Sequence, residues 1–131
     1  EIEDADVELN TILGHAKISL ADLINLKPGD IPADVVHADD DVVAFRDLNP
    51  QAPVHVLVIP RAHYANAGEL AAADEHLTAR VLAAAASVAR QEGISDAGYR
   101  LVANTGDDAG QSVHHVHVHV LGGRSLTWPP G

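Results

Sequence analysis

The run VHHVHVHVL, residues 113–121, constrains this chain more than any other stretch. It alternates imidazole with valine, and alternate side chains of an extended strand share a face. The run is read as a strand that turns His115, His117 and His119 to one side. Val116, Val118 and Val120 then point to the other side, into a core. Same-face neighbours lie about 6.5–7 Å apart, so three rings can line one cleft. His114 falls at the start of the run, on the valine side, and stands outside the set. Crowded imidazoles resist protonation, because each positive charge raises the cost of the next. A neutral ring with a nucleophilic nitrogen is therefore expected near pH 7. Three uses compete: a solvated polar face, a zinc site built on His-x-His, and nucleophilic catalysis by an oriented ring. Thr, Lys or Glu would serve a solvated face as well, which weighs against the first. Spacing does not separate the other two.

The remaining sequence sets the frame. At 131 residues the chain has the length of one domain. With one Trp, one Phe and two Tyr, its core must be aliphatic. A formal charge of −11 argues against nucleic acid or an anionic membrane surface as partner. A small anion remains admissible, because backbone N–H groups can cradle phosphate. Cysteine is absent, which excludes disulfides and thiolate ligands. No apolar run reaches membrane-spanning length and no signal peptide is visible, so a cytoplasmic location is expected. Residues 53–61, PVHVLVIPR, read as a buried strand; DDDVVAFRD before them reads as a strand after an acidic turn, and YRLVANTG, 99–106, as another that ends in a turn. ADEHLTARVLAAAASVARQEG, 73–93, reads as the one long helix, with Asp74 as N-cap, Gly93 as stop, and Leu77, Val81, Ala84, Ala85 and Val88 on one face. ADLINLKPGD carries a short helix or turn. The order βββ-α-ββ implies an α+β fold, an antiparallel sheet with a helix packed on one face.

HVHVHV followed by LGGR resembles the signature of the histidine triad (HIT) family. FRDLNPQAPVHVLVIPR, GYRLVANTGDDAGQSVHHVHVHVLGGR and the terminal WPPG are similar to its Hint branch, the purine nucleoside phosphoramidases, over residues 30–131. The resemblance implies a dimeric HIT-like sheet. It implies hydrolysis of the P–N bond of purine nucleoside 5′-phosphoramidates and of related acyl- and aminoacyl-adenylates, with no metal and no cofactor. In the family's scheme His117 attacks the α-phosphate to form a nucleotidyl-histidine, His119 hydrogen-bonds the phosphate oxygens, and His115 supports the nucleophile. The His115 carbonyl would take the His117 Nδ1–H and leave Nε2 to attack. Ser112 would assist the leaving group, and the N–H groups of Gly110, Gln111, Ser112 and Val113 would hold phosphate oxygens. Asn104 would contact the phosphate and leaving-group side. His55 matches a fourth active-site histidine, and Asp47 the acid that grips the ribose hydroxyls. Phe45, Leu48 and Ile31 would line the purine pocket. Trp128, in the tail, would reach the partner's active site, and the long helix and YRLVAN would form the two-fold interface. Each residue also has a plainer reading. His55 could be a core histidine, Asp47 a turn cap before Asn-Pro, and Ser112 and Asn104 partners for loop backbone. Phe45, Leu48 and Ile31 would be core residues in most folds, and Trp128 an anchor on its own subunit.

Residues 1–29 depart from the Hint pattern. The stretch VELNTILGHAKISLADLINLKPGDI, 7–31, is similar instead to a piece of the SpoA domain of flagellar switch proteins, which implies a chimera joined near KPGDIPAD. Leu23 and Leu26 would replace the family's opening apolar pair at the base pocket. Val7, Leu9, Ile12 and the HAKISL strand would add a hairpin at a sheet edge. Other functions stay open: a catalytically weak nucleotide-binding or scaffold protein, a dinucleoside polyphosphate hydrolase, and a metal-dependent hydrolase using the three histidines.

Overall fold

The computed structural model describes residues 6–8, 17–25 and 34–131. Five strands form one antiparallel sheet in the order β3-β4-β5-β7-β6. They are β3 (Asp34–Ala38), β4 (Val42–Arg46), β5 (Val54–Pro60), β6 (Tyr99–Val102) and β7 (Val118–Gly122). β1 (Asp6–Glu8) and β2 (Lys17–Ser19) pair as a separate two-stranded sheet and run into α1 (Leu20–Ile24). The expected hairpin therefore exists but does not extend an edge of the main sheet. Arg61 at the end of β5 donates to the Ile24 carbonyl at 3.3 Å, which ties α1 to that end. Leu9, Ile12, Leu26, Ile31 and the Leu23 side chain lie outside the described residues.

The valine face of the sheet carries the core. Val42, Ala44, Val56, Val58, Val118 and Val120 pack against α3 (Glu75–Gln91) through Leu77, Val81, Ala84, Ala85, Val88 and Ala89. Burying each Val or Leu contributes about 1.5–3 kcal/mol. Asp74 caps α3 by accepting from the Leu77 N–H at 2.9 Å. At the other end Gly93 takes φ +77°, and the Ile94 N–H reaches back to the Ala89 carbonyl at 3.0 Å. This left-handed closure drops Ile94 into the core. A short α2 (Ala67–Ala73), capped by Asn66 on the Glu69 N–H at 2.9 Å, precedes α3 and was not anticipated. Asn-x-x-Glu is its sequence signal.

The histidine run departs from expectation. Pairing with β5 begins only at Val58↔Val118, so residues 113–117 are not strand. Pro60 explains the stop: it has no N–H to offer where Val116 would face it. The Val116 N–H turns instead to the Tyr64 carbonyl at 2.8 Å.

A Cβ built on Gly122 would lie 2.7 Å from Ile94 Cδ1. Gly122→Ala is expected to destabilise the fold by roughly 1–3 kcal/mol through overpacking, measurable by urea denaturation. Unchanged stability would show that Ile94 moves freely.

Candidate active site

The face of the sheet away from α3 holds the histidines. The register sets Leu57 opposite His119 and Leu121 opposite His55, so the two rings are diagonal neighbours with centroids 5.1 Å apart. Their bonds fix where the protons sit. The Gln51 N–H donates to His55 Nδ1 at 3.1 Å, so neutral His55 carries its proton on Nε2. That N–H donates to His119 Nδ1 at 2.8 Å, which leaves the His119 proton on Nε2. His117 donates Nδ1–H to the His115 carbonyl at 2.8 Å and keeps a bare lone pair on Nε2. The His117 and His119 rings meet edge to face at 5.2 Å. A cleft of about 240 Å³ is walled by His55, His117, His119, Asp47, Asn104 and Ser112, with Asn49, Gln51 and Gly110 completing it. It thus joins one nucleophilic nitrogen to a neighbouring N–H donor.

Burial keeps these rings neutral. It pushes His119 down to about 4, helped by the nearby His117 and His55. It lowers His117 and His55 in the same direction. Asp47 moves the other way, to about 6, again through burial, with the Asn49 N–H opposing. Asp47 caps the turn before Asn-Pro and also borders the cleft. One carboxylate oxygen caps the Asn49 N–H at 2.8 Å, and the other faces His55 Nε2 at 3.5 Å on the cleft wall.

His115 does not line the cleft. Its ring, 1% exposed, donates Nε2–H to the Pro60 carbonyl at 2.9 Å. Its Nδ1 therefore needs a donor, and His63 Nδ1–H supplies it at 2.8 Å. Sequence reading missed His63, which has no periodic signal in RAHYAN. Three consecutive residues clamp the histidine loop: the His63 ring on His115, the Tyr64 carbonyl on Val116, and the Ala65 carbonyl on the Gln111 amide at 2.7 Å. They do the work that strand pairing does beyond Val118.

The other expected residues divide. Gly110, with φ +77°, closes a 3₁₀ turn (Asp107–Ala109) with its N–H on the Asp107 carbonyl, and the Gln111 N–H goes to Gly106. A phosphate cradle built from all four N–H groups of residues 110–113 is therefore corrected: these two are already engaged. The Gln111 side chain braces the loop through the Gly106 N–H and the Val113 carbonyl, and Val113 is buried away from the cleft wall. Phe45 is fully buried in the sheet and Leu48 is 49% exposed on a turn; neither lines the cleft. Trp128 is 81% exposed, so it is no anchor on its own core. It borders a neighbouring cavity that shares Asn104 with the cleft.

Among the described residues, ligand atoms of Asp47, His55 and His119 lie within 4.8 Å of one another and form a candidate cation group. The proton positions oppose it: His55 Nε2 holds a proton, and freeing it would break the Gln51 bond.

The HIT domain model matches residues 28–126. The chain belongs to the HIT family. A second model, the C-terminal region of the type III flagellar switch regulator FliN, matches residues 1–47. The two overlap across β3 and β4, which the fold places in the HIT sheet. The chain is 49% identical to the 14 kDa zinc-binding protein of Zea mays over 104 residues, 78% of this chain and 80% of that one. It is 47% identical to the purine nucleoside phosphoramidase of Escherichia coli over 97 residues, 74% and 82%. A HIT family hydrolase from Legionella pneumophila superposes with a TM-score of 0.77 at 46% identity, covering 85% of this chain and 96% of that one. No helix among the described residues is long and apolar enough to cross a membrane.

Two outcomes follow for this HIT site. His63→Asn keeps an N–H near the ring nitrogen and retains wild-type stability, whereas His63→Leu strands a buried lone pair and costs about 1–3 kcal/mol, read by urea denaturation. Equal losses would contradict the clamp. Acid sensitivity is the second. Unfolded histidines take up protons below about 6.5 that folded His115 and His119 refuse until about 4, so stability falls with pH across that window. Asp47 has the opposite sign, holding a proton up to about 6 that the unfolded carboxyl releases near 3.8. The lowered His55, His63 and His117 side with the first effect. The midpoint of calorimetric melting is expected to be lower at pH 5 than at pH 7.

Proposed function

We propose that this chain hydrolyses purine nucleoside 5′-phosphoramidates, and related acyl- and aminoacyl-adenylates, through a nucleotidyl group on His117. One observation carries the reading: His117 Nε2 is a bare nitrogen on the cleft wall, its other nitrogen held by the His115 carbonyl at 2.8 Å. The named activity of the Escherichia coli relative supports the substrate class.

Attack forms the Nε2–P bond and breaks either the P–N bond of a phosphoramidate, whose nitrogen takes up one proton from solvent and leaves as the amine, or the P–O bond of an acyl-adenylate, whose carboxylate leaves as the anion. The ring becomes cationic, and the His115 carbonyl stabilises its Nδ1–H. Water then forms a P–O bond as the Nε2–P bond breaks, giving a proton to solvent, releasing the nucleoside monophosphate and restoring neutral His117. His119 Nε2–H donates to a phosphoryl oxygen, backed by the wire through His55 to the Gln51 N–H. Asp47 offers its cleft-facing oxygen to the ribose hydroxyls. Ser112 and Asn104 stand on the leaving-group side. His115 acts on His117 only through its carbonyl.

Residues 30–131 form the HIT unit in this reading, and 1–29 a grafted SpoA-like segment. Two copies associate across the β6 edge and α3, where Leu82 and Leu101 are exposed, and Trp128 reaches the partner's cleft.

In the presence of chelator, wild-type protein is expected to turn over adenosine 5′-phosphoramidate. His117→Ala should lose roughly 10³-fold or more in kcat while still binding AMP. A wild-type rate in His117→Ala would remove the proposal; loss of turnover with chelator would restore the metal reading.

A further inference from the structure

We propose that the cleft selects substrate by charge: it accepts a nucleotide whose phosphoryl group carries a single negative charge and disfavours a phosphoryl dianion or a polyphosphate chain. The inference rests on the nucleotide reading above and names its substrate class more narrowly. Lys and Arg are the usual partners of phosphate dianions, and Arg grips them bidentately. Among the described residues lining this cleft there is neither. Its polar groups are three imidazoles, three amide side chains, a hydroxyl and one carboxyl.

The surroundings point the same way. Asp107 and Asp108 form the 3₁₀ turn that leads into Gly110 on the cleft wall. The guanidinium of Arg124 donates to the carbonyls of Gln51, a lining residue, and Ser125 at 2.9 and 3.0 Å. Arg46 is held by Glu92 and Asp34. His119 and His117, the rings next to the reacting atoms, are kept uncharged by burial, and His119 does not gain a proton until about pH 4. A second negative charge would therefore enter a low-dielectric site with only neutral donors to meet it, beside Asp47.

The chemistry of the reaction matches this filter. A phosphoramidate monoester and a mixed anhydride of AMP with a carboxylate each carry one negative charge on phosphorus. The product, a nucleoside monophosphate, carries two above its second ionisation near about 6. Hydrolysis thus converts an accepted charge state into a disfavoured one, and product leaves. A dinucleoside polyphosphate presents several charges at once, which sets this site apart from a hydrolase for such substrates.

The test compares AMP with adenosine 5′-(methyl phosphate), which stays a monoanion, by calorimetric titration from pH 5.5 to 7.5. The ester reports every change in the protein itself, including ionisation of Asp47 and the histidines, so the ratio of the two Kd values isolates the ligand's charge. If only the monoanion binds, the ratio of the AMP Kd to the ester Kd rises about 25-fold across the range, given a phosphate pKa of about 6. A flat ratio, or AMP tightening relative to the ester, would overturn the charge filter while leaving the nucleotide site intact. Failure of both ligands to bind at any pH would overturn the nucleotide reading and the filter together, and binding of AMP alone would overturn the filter.

Discussion

The site depends on two hydrogen bonds between backbone and imidazole. The Gln51 N–H occupies His55 Nδ1, and the His115 carbonyl occupies His117 Nδ1–H. Neither backbone group can change its role, so neither ring can choose its tautomer. Every proton downstream is then set: His55 must donate to His119, His119 must present an N–H, and His117 must present a lone pair. A neutral histidine is ambiguous by itself, and here main-chain polarity removes the ambiguity.

The fold supplies those backbone groups at fixed places. Asp47 closes the β4–β5 connection by donating its N–H to the His55 carbonyl at 3.0 Å while its carboxylate caps Asn49, so the Gln51 N–H returns to the ring. Across the sheet, the ladder between β5 and β7 places His119 beside His55. Where Pro60 ends that ladder, residues 63–65 take over and hold the 111–116 segment by a ring, a carbonyl and a carbonyl. The strand positions one half of the histidine set and the clamp positions the other. Valines on the opposite face anchor both to α3. The same packing that stabilises the sheet therefore carries the geometry of the rings.

Much of this was legible in the sequence where a period exists to read. The period of two separated Val116, Val118 and Val120 from the histidines, and the helical period of 73–93 located the face that packs on them. Asp74 and Gly93 ended that helix as their chemistry predicts. What lacked a period was lost. His63 stands alone in a loop, and only the unsatisfied Nδ1 of a buried His115 reveals why it is there. Extending the strand back to Val113 followed the valines and overlooked a proline in a different strand, 56 positions before the Val116 it would face. Asn66-x-x-Glu69 did signal α2, but seven residues make too short a helix for periodicity to mark. Phe45 and Leu48 show the limit of resemblance: an apolar residue can be carried over by position, yet whether it meets solvent, core or ligand is decided by packing.

Locating the protons measures the central claim directly. In uniformly ¹⁵N-labelled protein at pH 7, long-range ¹H–¹⁵N correlation spectra distinguish protonated from bare ring nitrogens. His117 is expected as a neutral ring with its proton on Nδ1, and His55 and His119 as neutral rings with theirs on Nε2. A proton on His117 Nε2, or a cationic His117 at that pH, would contradict the account.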